Sequence, residues 1–176
     1  KEDSDGEDNG KITIVGGSSL FQGAPLMSLV AAASLVDMVF VATPEEDKEI
    51  VAKVKLFSRL RSVIWIPKED LDAYVEKSDA ILIGPGLMRW HSENSKFEFR
   101  NSKTEFDRAG TETRMLTKYL LEKFPTKKWV IDGGSLQVMR REWIPKGAIL
   151  TPNKREFEIL FEEKFTLESL QEIAKK

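Results

Sequence analysis

The sequence predicts an α/β fold, with a mostly parallel central sheet flanked by helices. Three observations carry the prediction. Six short runs rich in β-branched residues recur along the chain, and stretches of helical period separate them. Most of the runs are continuously apolar rather than alternating, which is the pattern of strands covered on both faces. Parallel neighbours need crossover connections, and the alternation of strand and helix supplies them.

In chain order, KITIV (11–15) is the first strand. APLMSLVAAASLV (24–36) is a helix that is apolar nearly all round and is therefore expected to be central. DMVFVA (37–42) is the second strand. PEEDKEIVAKVKLFSRL (44–60) follows as a helix with a sharp start, in which Thr43 caps, Pro44 takes the first position and Glu46 is the acid of a capping box. SVIWI (62–66) and DAILIG (79–84) are the third and fourth strands, with an amphipathic helix KEDLDAYVEKS (68–78) between them. The stretch 88–110, MRWHSENSKFEFRNSKTEFDRAG, breaks the rhythm. It is long, polar and aperiodic, and reads either as a lid over a site or as a disordered insertion. KFEFRN within it also fits a small hairpin strand. An amphipathic helix TETRMLTKYLLEKF (111–124), the strands KWVID (128–132) and GAILT (147–151), and the helices NKREFEILF (153–161) and TLESLQEIAKK (166–176) complete the chain.

Length and composition narrow the class. The 176 residues suit one domain with a real core, without internal repeats. Residues 1–10 carry five acids and one lysine and read as an acidic flexible tail, which leaves residues 11–176 as a single domain with 26 basic and 24 acidic residues. That balance offers no electrostatic footprint for nucleic acid. No apolar run approaches the roughly 20 residues of a membrane span, and no secretory signal is visible. Cysteine is absent, which excludes disulfides and thiolate metal sites and fits a cytoplasmic protein. The chain starts without Met, so upstream residues are expected to have been removed.

Four unusual loops follow four of the strands: GGSS, GPGL, DGGS and TPN. In an open parallel sheet the strand C-termini share one edge, where ligands bind. Glycine is common in such turns, yet four of four strand ends favour a shared cleft. The first loop is not a P-loop, because five residues separate Gly17 from Gly23 and Ala24-Pro25 stand where Lys and Ser/Thr belong. Gly23, Ala24 and Pro25 instead open a helix whose N-terminal N–H groups could meet an anion or a polar ring. Gly84 and Gly86 flank a rigid proline turn, equally readable as a plain β-turn. Asp132 ends a strand, where a carboxylate can orient a ribose, hold a metal-bound water or cap the next turn. In TPNKREFEIL, Thr151 reads as the cap, Pro152 as the first helical residue and Asn153 as facing the edge, with Glu156 either reaching back or pointing into the site. His91 is the only histidine, so a histidine-based zinc site or proton shuttle has no second member. Trp65 and Trp129 read as core, and Trp90 as a rim residue.

Taken together and in order, GGSSLFQGA, GPG, VIDGGSL and LTPNKREFEIL resemble the ADP/ATP-dependent NAD(P)H-hydrate dehydratases of the ribokinase-like superfamily. The family pattern runs G-G-S-x-x-(Y/F)-x-G-A, then G-P-G, then (V/I)-(L/I)-D-A-D-A-L, then L-T-P-H-x-x-E-(F)-x-x-L. Phe21 fills the aromatic slot of the first motif, and SDGEDNGKITI looks like a degraded S-H-K-G-x-x-G lead into the first strand. The similarity spans nearly the whole chain outside 88–110. It implies a ribokinase-like layered fold and a cofactor-repair lyase. The substrate would be hydrated NADH or NADPH (NADHX or NADPHX). ADP or ATP with Mg²⁺ phosphorylates the added hydroxyl, phosphate leaves, and the normal dinucleotide returns. By motif position, Ala24 and Gly86 would line the dinucleotide, Gly16, Gly17 and Ser18 would shape the same pocket, and Asp132 matches the strand-end aspartate. Phe21, Gly23 and Gly84 belong to the same wall. The family also suggests a homo-oligomer.

The chain departs from the pattern in three places. Asn153 stands where the family has a substrate-contacting histidine, which keeps hydrogen bonding and loses titration. DGGS replaces D-A-D-A and removes a carboxylate. The distal G-T-G-D motif, whose glycines form the anion hole and whose Asp is the catalytic base, does not occur, so the expected catalytic Asp lies beyond residue 176. The resemblance therefore implies a fold incomplete at the C-terminus and little dehydratase activity from this chain alone. The alternatives are a non-catalytic dinucleotide-binding remnant and a ribokinase-like small-molecule kinase.

Overall fold

The computed structural model describes residues 9–43, 63–90 and 103–175, and within 103–107 it describes the backbone only. The strands are β1 Lys11–Val15, β2 Met38–Ala42, β3 Val63–Trp65, β4 Ala80–Ile83, β5 Lys128–Ile131 and β6 Ile149–Leu150. They form one sheet in the order β3-β2-β1-β4-β5-β6. Each neighbouring pair is parallel, in the register Val15 beside Ala42 and Ile83. The helices are α1 Gly23–Ala33, α2 Leu71–Lys77, α3 Lys103–Lys123, α4 Gly133–Val138, α5 Lys154–Phe161 and α6 Leu167–Ala174.

Strand order reverses between β1 and β4: the chain first winds outward through β2 and β3, then crosses to β4, β5 and β6. This reversal opens a crevice at the strand C-termini. Alternate strand residues feed two apolar layers. Val15, Phe40, Ile81, Ile83, Trp129 and Ile131 join Leu120, Leu121, Leu136 and Phe157 in the larger one. Ile14, Val39, Val41 and Val63 join Leu29 in the smaller one. Trp129 is core, as its apolar setting predicts, and its indole N–H donates to the Phe124 carbonyl at 2.9 Å. Trp65 is only partly buried, against the smaller layer.

Three expectations are corrected. Helix α1 is not central: it lies over the smaller layer with Pro25 and Leu29 buried and Met27 and Val30 exposed. Its apolar composition supplied more hydrophobic surface than the layer beneath takes up. The aperiodic stretch is helical from Lys103 onward, so α3 starts eight residues before the predicted 111. Gly110 explains the concealment. It is buried against Trp90, and an added Cβ would stand 2.6 Å from the Trp90 backbone nitrogen, so close packing requires a residue that weakens the helical signal. Asn9 and Gly10 are tied to the fold, because Asn9 donates from its backbone (2.9 Å) and its side chain (3.2 Å) to Asp37, and Gly10 accepts from the Met38 N–H; residues 1–8 lie outside the described residues. The helix predicted at 44–60, His91 and the KFEFRN strand fall outside the described residues.

A surface cluster ties α2 to α3. Asp72 accepts from the Tyr119 hydroxyl (2.6 Å) and from Lys123 Nζ (2.8 Å). Partial burial raises the Asp72 pKa, but these hydrogen bonds and the Lys123 charge outweigh it and hold the carboxyl below its usual 3.8. The same bonds raise the Lys123 ammonium. A depressed carboxylate pKa stabilises the fold above the unfolded value and loses that effect as pH falls through the folded one. Asp72→Asn is therefore expected to unfold at lower urea than the parent at pH 7, with the difference closing in acid below the folded pKa. Urea midpoints of both proteins across that range check this, and a gap that persists in acid contradicts it.

Candidate functional site

The three loops at the strand reversal are interlocked through their backbones. Gly17 N–H donates to the Pro85 carbonyl (2.8 Å), Gly84 N–H to Val15 (3.0 Å) and Gly134 N–H to Gly84 (3.1 Å). Asp132 N–H donates to Ile83 (2.9 Å) and Gly16 N–H to Ala42 (3.0 Å). The packing leaves no room for side chains. A Cβ on Gly16 would overlap the Pro85 carbonyl, one on Gly84 the Asp132 carbonyl, one on Gly86 the Phe21 carbonyl and one on Gly134 the Leu87 carbonyl. Gly84 (φ 114°) and Gly86 (φ 70°) also occupy backbone regions that L side chains avoid. The glycines thus join loop to loop and build a rigid floor.

The residues predicted from the sequence separate into those that form this floor and those that line its surface. Gly16, Gly17, Ser18 and Gly84 are buried, and the Ser18 hydroxyl accepts from the Phe21 N–H at 3.1 Å, closing the turn. Phe21 and Gly86 are half-buried against each other and Pro25. Gly23 and Ala24 are exposed at the start of α1, and a Cβ on Gly23 would meet nothing within 4 Å. No side chain caps this helix start, since Gln22 at the cap position makes no capping bond. The first turn of α1 therefore has no side-chain cap, and Gly23 and Ala24 lie exposed in it.

Asp132 occupies the cap position of α4 without capping it; Oδ1 accepts from the Thr151 hydroxyl at 2.7 Å. That bond ties the end of β5 to the segment following β6. The expected cap of α5 shifts by two residues. Asn153, not Thr151, is the N-cap: Asn153 Oδ1 accepts from Glu156 N–H (3.1 Å) and Glu156 Oε2 accepts from Asn153 N–H (2.9 Å). Glu156 is the N3 residue only in this frame, whereas a Thr151 cap would place Lys154 there, which has no acceptor to return. Asn153 is exposed and lines a cavity of about 140 Å³ with Arg89, Trp90, Gln137, Arg155 and Glu156. Trp90 is a rim residue of this cavity, 38% exposed, with the Arg114 guanidinium over its ring at 5.3 Å.

Sequence reasoning missed Arg89, Gln137 and Arg155. The available signal was electrostatic: Lys154 and Arg155 open α5, at the end where the helix dipole disfavours cations. A larger cavity, about 620 Å³, lies at the far edge of the sheet beside β6, lined by Leu150, Phe157, Phe161, Leu170 and Ile173 among others. Of the four loops singled out in the sequence, only TPN borders it, through Pro152.

The chain is an open, parallel α/β sheet with its glycine loops locked at the strand reversal. The fold superposes on a ribokinase-like superfamily protein from Enterococcus faecalis with a TM-score of 0.72 at 22% identity, covering 99% of this chain and 57% of that one. It superposes on the ADP/ATP-dependent NAD(P)H-hydrate dehydratase from Bacillus subtilis, co-crystallised with ATP/Mg²⁺ and soaked with CoA, with a TM-score of 0.54 at 18% identity, covering 96% and 52%. The NAD(P)H-hydrate dehydratase family model matches residues 12–176, and the chain belongs to that family. The bifunctional NAD(P)H-hydrate repair enzyme Nnr of Hyperthermus butylicus is 27% identical over 168 residues, 87% of this chain and 27% of that protein. Its counterpart in Methanocaldococcus jannaschii is 28% identical over 160 residues, 86% of this chain and 28% of that protein. The chain thus spans about a quarter of the length of these curated relatives.

Proposed function

We propose that this chain forms the dinucleotide side of an NAD(P)H-hydrate dehydratase site. The observation that carries the reading is the interlocked floor of the loops after β1, β4 and β5, in which Gly16, Gly17, Gly84 and Gly86 stand at the family's motif positions. Above it the open first turn of α1 presents uncapped N–H groups, and Gly23 and Ala24 place no bulk in the way. In this reading Ala24 and Gly86 border hydrated NADH or NADPH, Gly16, Gly17 and Ser18 hold the wall in shape, and Phe21 packs beneath it. Asp132, held by Thr151, orients a ribose hydroxyl, and Asn153 offers an amide hydrogen bond where a histidine stands in the family. The location is cytoplasmic and the assembly a homo-oligomer.

The complete reaction uses ADP or ATP, whose phosphoryl group converts the hydroxyl added to the nicotinamide ring into a leaving phosphate. Among the described residues no group of three or more His, Asp or Glu side chains could hold a metal ion, and Asp132 already spends one oxygen on Thr151. Magnesium would arrive with the nucleotide phosphates. The chain contains no Gly-Thr-Gly-Asp sequence. The expected result is saturable calorimetric binding of hydrated NADH by the purified chain without ADP-dependent conversion to NADH. Turnover, or no dinucleotide binding at all, contradicts it.

A further inference from the structure

Trp90 is held more firmly than a surface residue needs. Gly110 of α3 is buried against it, and an added Cβ would stand 2.5 Å from Trp90 Cδ1. One turn further along α3, the Arg114 guanidinium lies over the indole at 5.3 Å. Arg114 is itself fixed, by a 2.7 Å bond to the Val138 carbonyl and by the Trp143 ring at 4.8 Å. The Trp90 indole N–H reaches the Thr111 hydroxyl at 3.4 Å. These contacts all come from α3, so the opposite face of the indole is the one turned to the cavity at Asn153. Glycine in a helix interior costs stability. Here it seats a side chain that stays 38% exposed and belongs to neither apolar layer. A local rule broken without a packing gain points to a use outside the fold.

The same cavity is bordered by Ile159 of α5, a second large apolar side chain left 50% exposed. A flat apolar ring laid on Trp90 and Ile159 would withdraw both from water. The size agrees: about 140 Å³ is well below the roughly 300–1,000 Å³ of a pocket enclosing a whole ligand, and suits one ring of a longer molecule. A polar partner for the ring edge stands beside it. Asn153 spends Oδ1 on the α5 cap, which leaves Nδ2 as a donor for a ring nitrogen.

We propose that Trp90 is a stacking platform for the adenine ring of the dinucleotide, with Ile159 as its second apolar contact. The assignment rests on the dinucleotide reading above. Hydration gives the nicotinamide ring a tetrahedral carbon bearing the hydroxyl, so adenine is the flat aromatic ring of that substrate, and its π-face suits an indole. Trp90 and Gly110 both lie in the stretch 88–110, outside the family motifs.

The test is calorimetric titration of the purified chain with hydrated NADH, AMP and ADP, beside Trp90→Ala, Trp90→Phe and Ile159→Gln. The expected result is that AMP competes with hydrated NADH and that Trp90→Ala loses at least tenfold in affinity for both, about 1.4 kcal/mol. Trp90→Phe keeps an aromatic face and recovers most of that loss. Ile159→Gln removes an exposed contact without touching α3, so it weakens both ligands at an unchanged unfolding midpoint and decides the matter if Trp90→Ala unfolds early. Unchanged affinity for hydrated NADH in Ile159→Gln, or a Trp90→Ala loss that Trp90→Phe does not recover, overturns the platform and leaves the dinucleotide reading intact. AMP binding that depends on Trp90, with no binding of hydrated NADH, overturns the dinucleotide reading and the assigned occupant together. ADP held through Trp90 and not displaced by hydrated NADH reassigns the platform to the nucleotide and overturns the proposal.

Discussion

Gly84→Ala is expected to lower the unfolding midpoint by ~10 °C or more. Two costs combine at this position. With φ at 114°, an L side chain strains the backbone by about 1–2 kcal/mol. The Cβ would also overlap the Asp132 carbonyl, with the Ser135 Cβ 3.1 Å away, so the loops after β4 and β5 must part. Their separation breaks the Gly134-to-Gly84 and Asp132-to-Ile83 hydrogen bonds and disturbs buried Ser135, which shares a 2.9 Å hydroxyl contact with Thr117 of α3. Overpacking of this kind costs about 1–3 kcal/mol, and each orphaned buried polar group adds about as much. In a domain of this size each kcal/mol shifts the midpoint by about 2–4 °C. Gly147→Ala is the control, because φ is 79° there but nothing lies within 4 Å of the added Cβ. It should show the strain alone, a shift of only a few degrees by the same scaling. Equal shifts in calorimetric scans of the two variants would show that loop interlock is not what Gly84 provides.

Ala24→Leu is expected to weaken binding of hydrated NADH at least tenfold and to leave stability nearly unchanged. Ala24 is exposed in the first turn of α1, so the larger side chain meets no protein atom that must move. Leucine and alanine are both good helix formers, so the helix itself is little affected. A dinucleotide docked against that turn would lose its closest approach to the uncapped N–H groups. Tenfold corresponds to about 1.4 kcal/mol, a modest demand for blocked contact. Binding unchanged within error would remove the α1 turn from the site.

Much of the sheet was legible before the structure, because its strands are short apolar runs ended by Gly, Asp or Pro. Their boundaries move by one or two residues at most. The strand order was not legible, since it depends on which crossover returns past β1. Nor was the start of α3: Gly110 weakens the helical pattern for the sake of a contact with Trp90, which lies on another segment. The α5 cap shows a local rule applied in the wrong frame, since Thr151 and Asn153 are both good caps and Glu156 decides between them. Among the site residues, the motif glycines were visible as loop residues, while the contacts that require them are tertiary. Arg89 carries no motif and is tied to the start of α5 only through Gln137 and Glu156.

Hydrogen–deuterium exchange of the chain with and without saturating hydrated NADH tests the central claim most directly. The account predicts protection at 17–25, 84–90 and 151–156, around the strand reversal and the α5 start. Protection confined to 144–150 and 167–174, beside the larger cavity at the β6 edge, would contradict it.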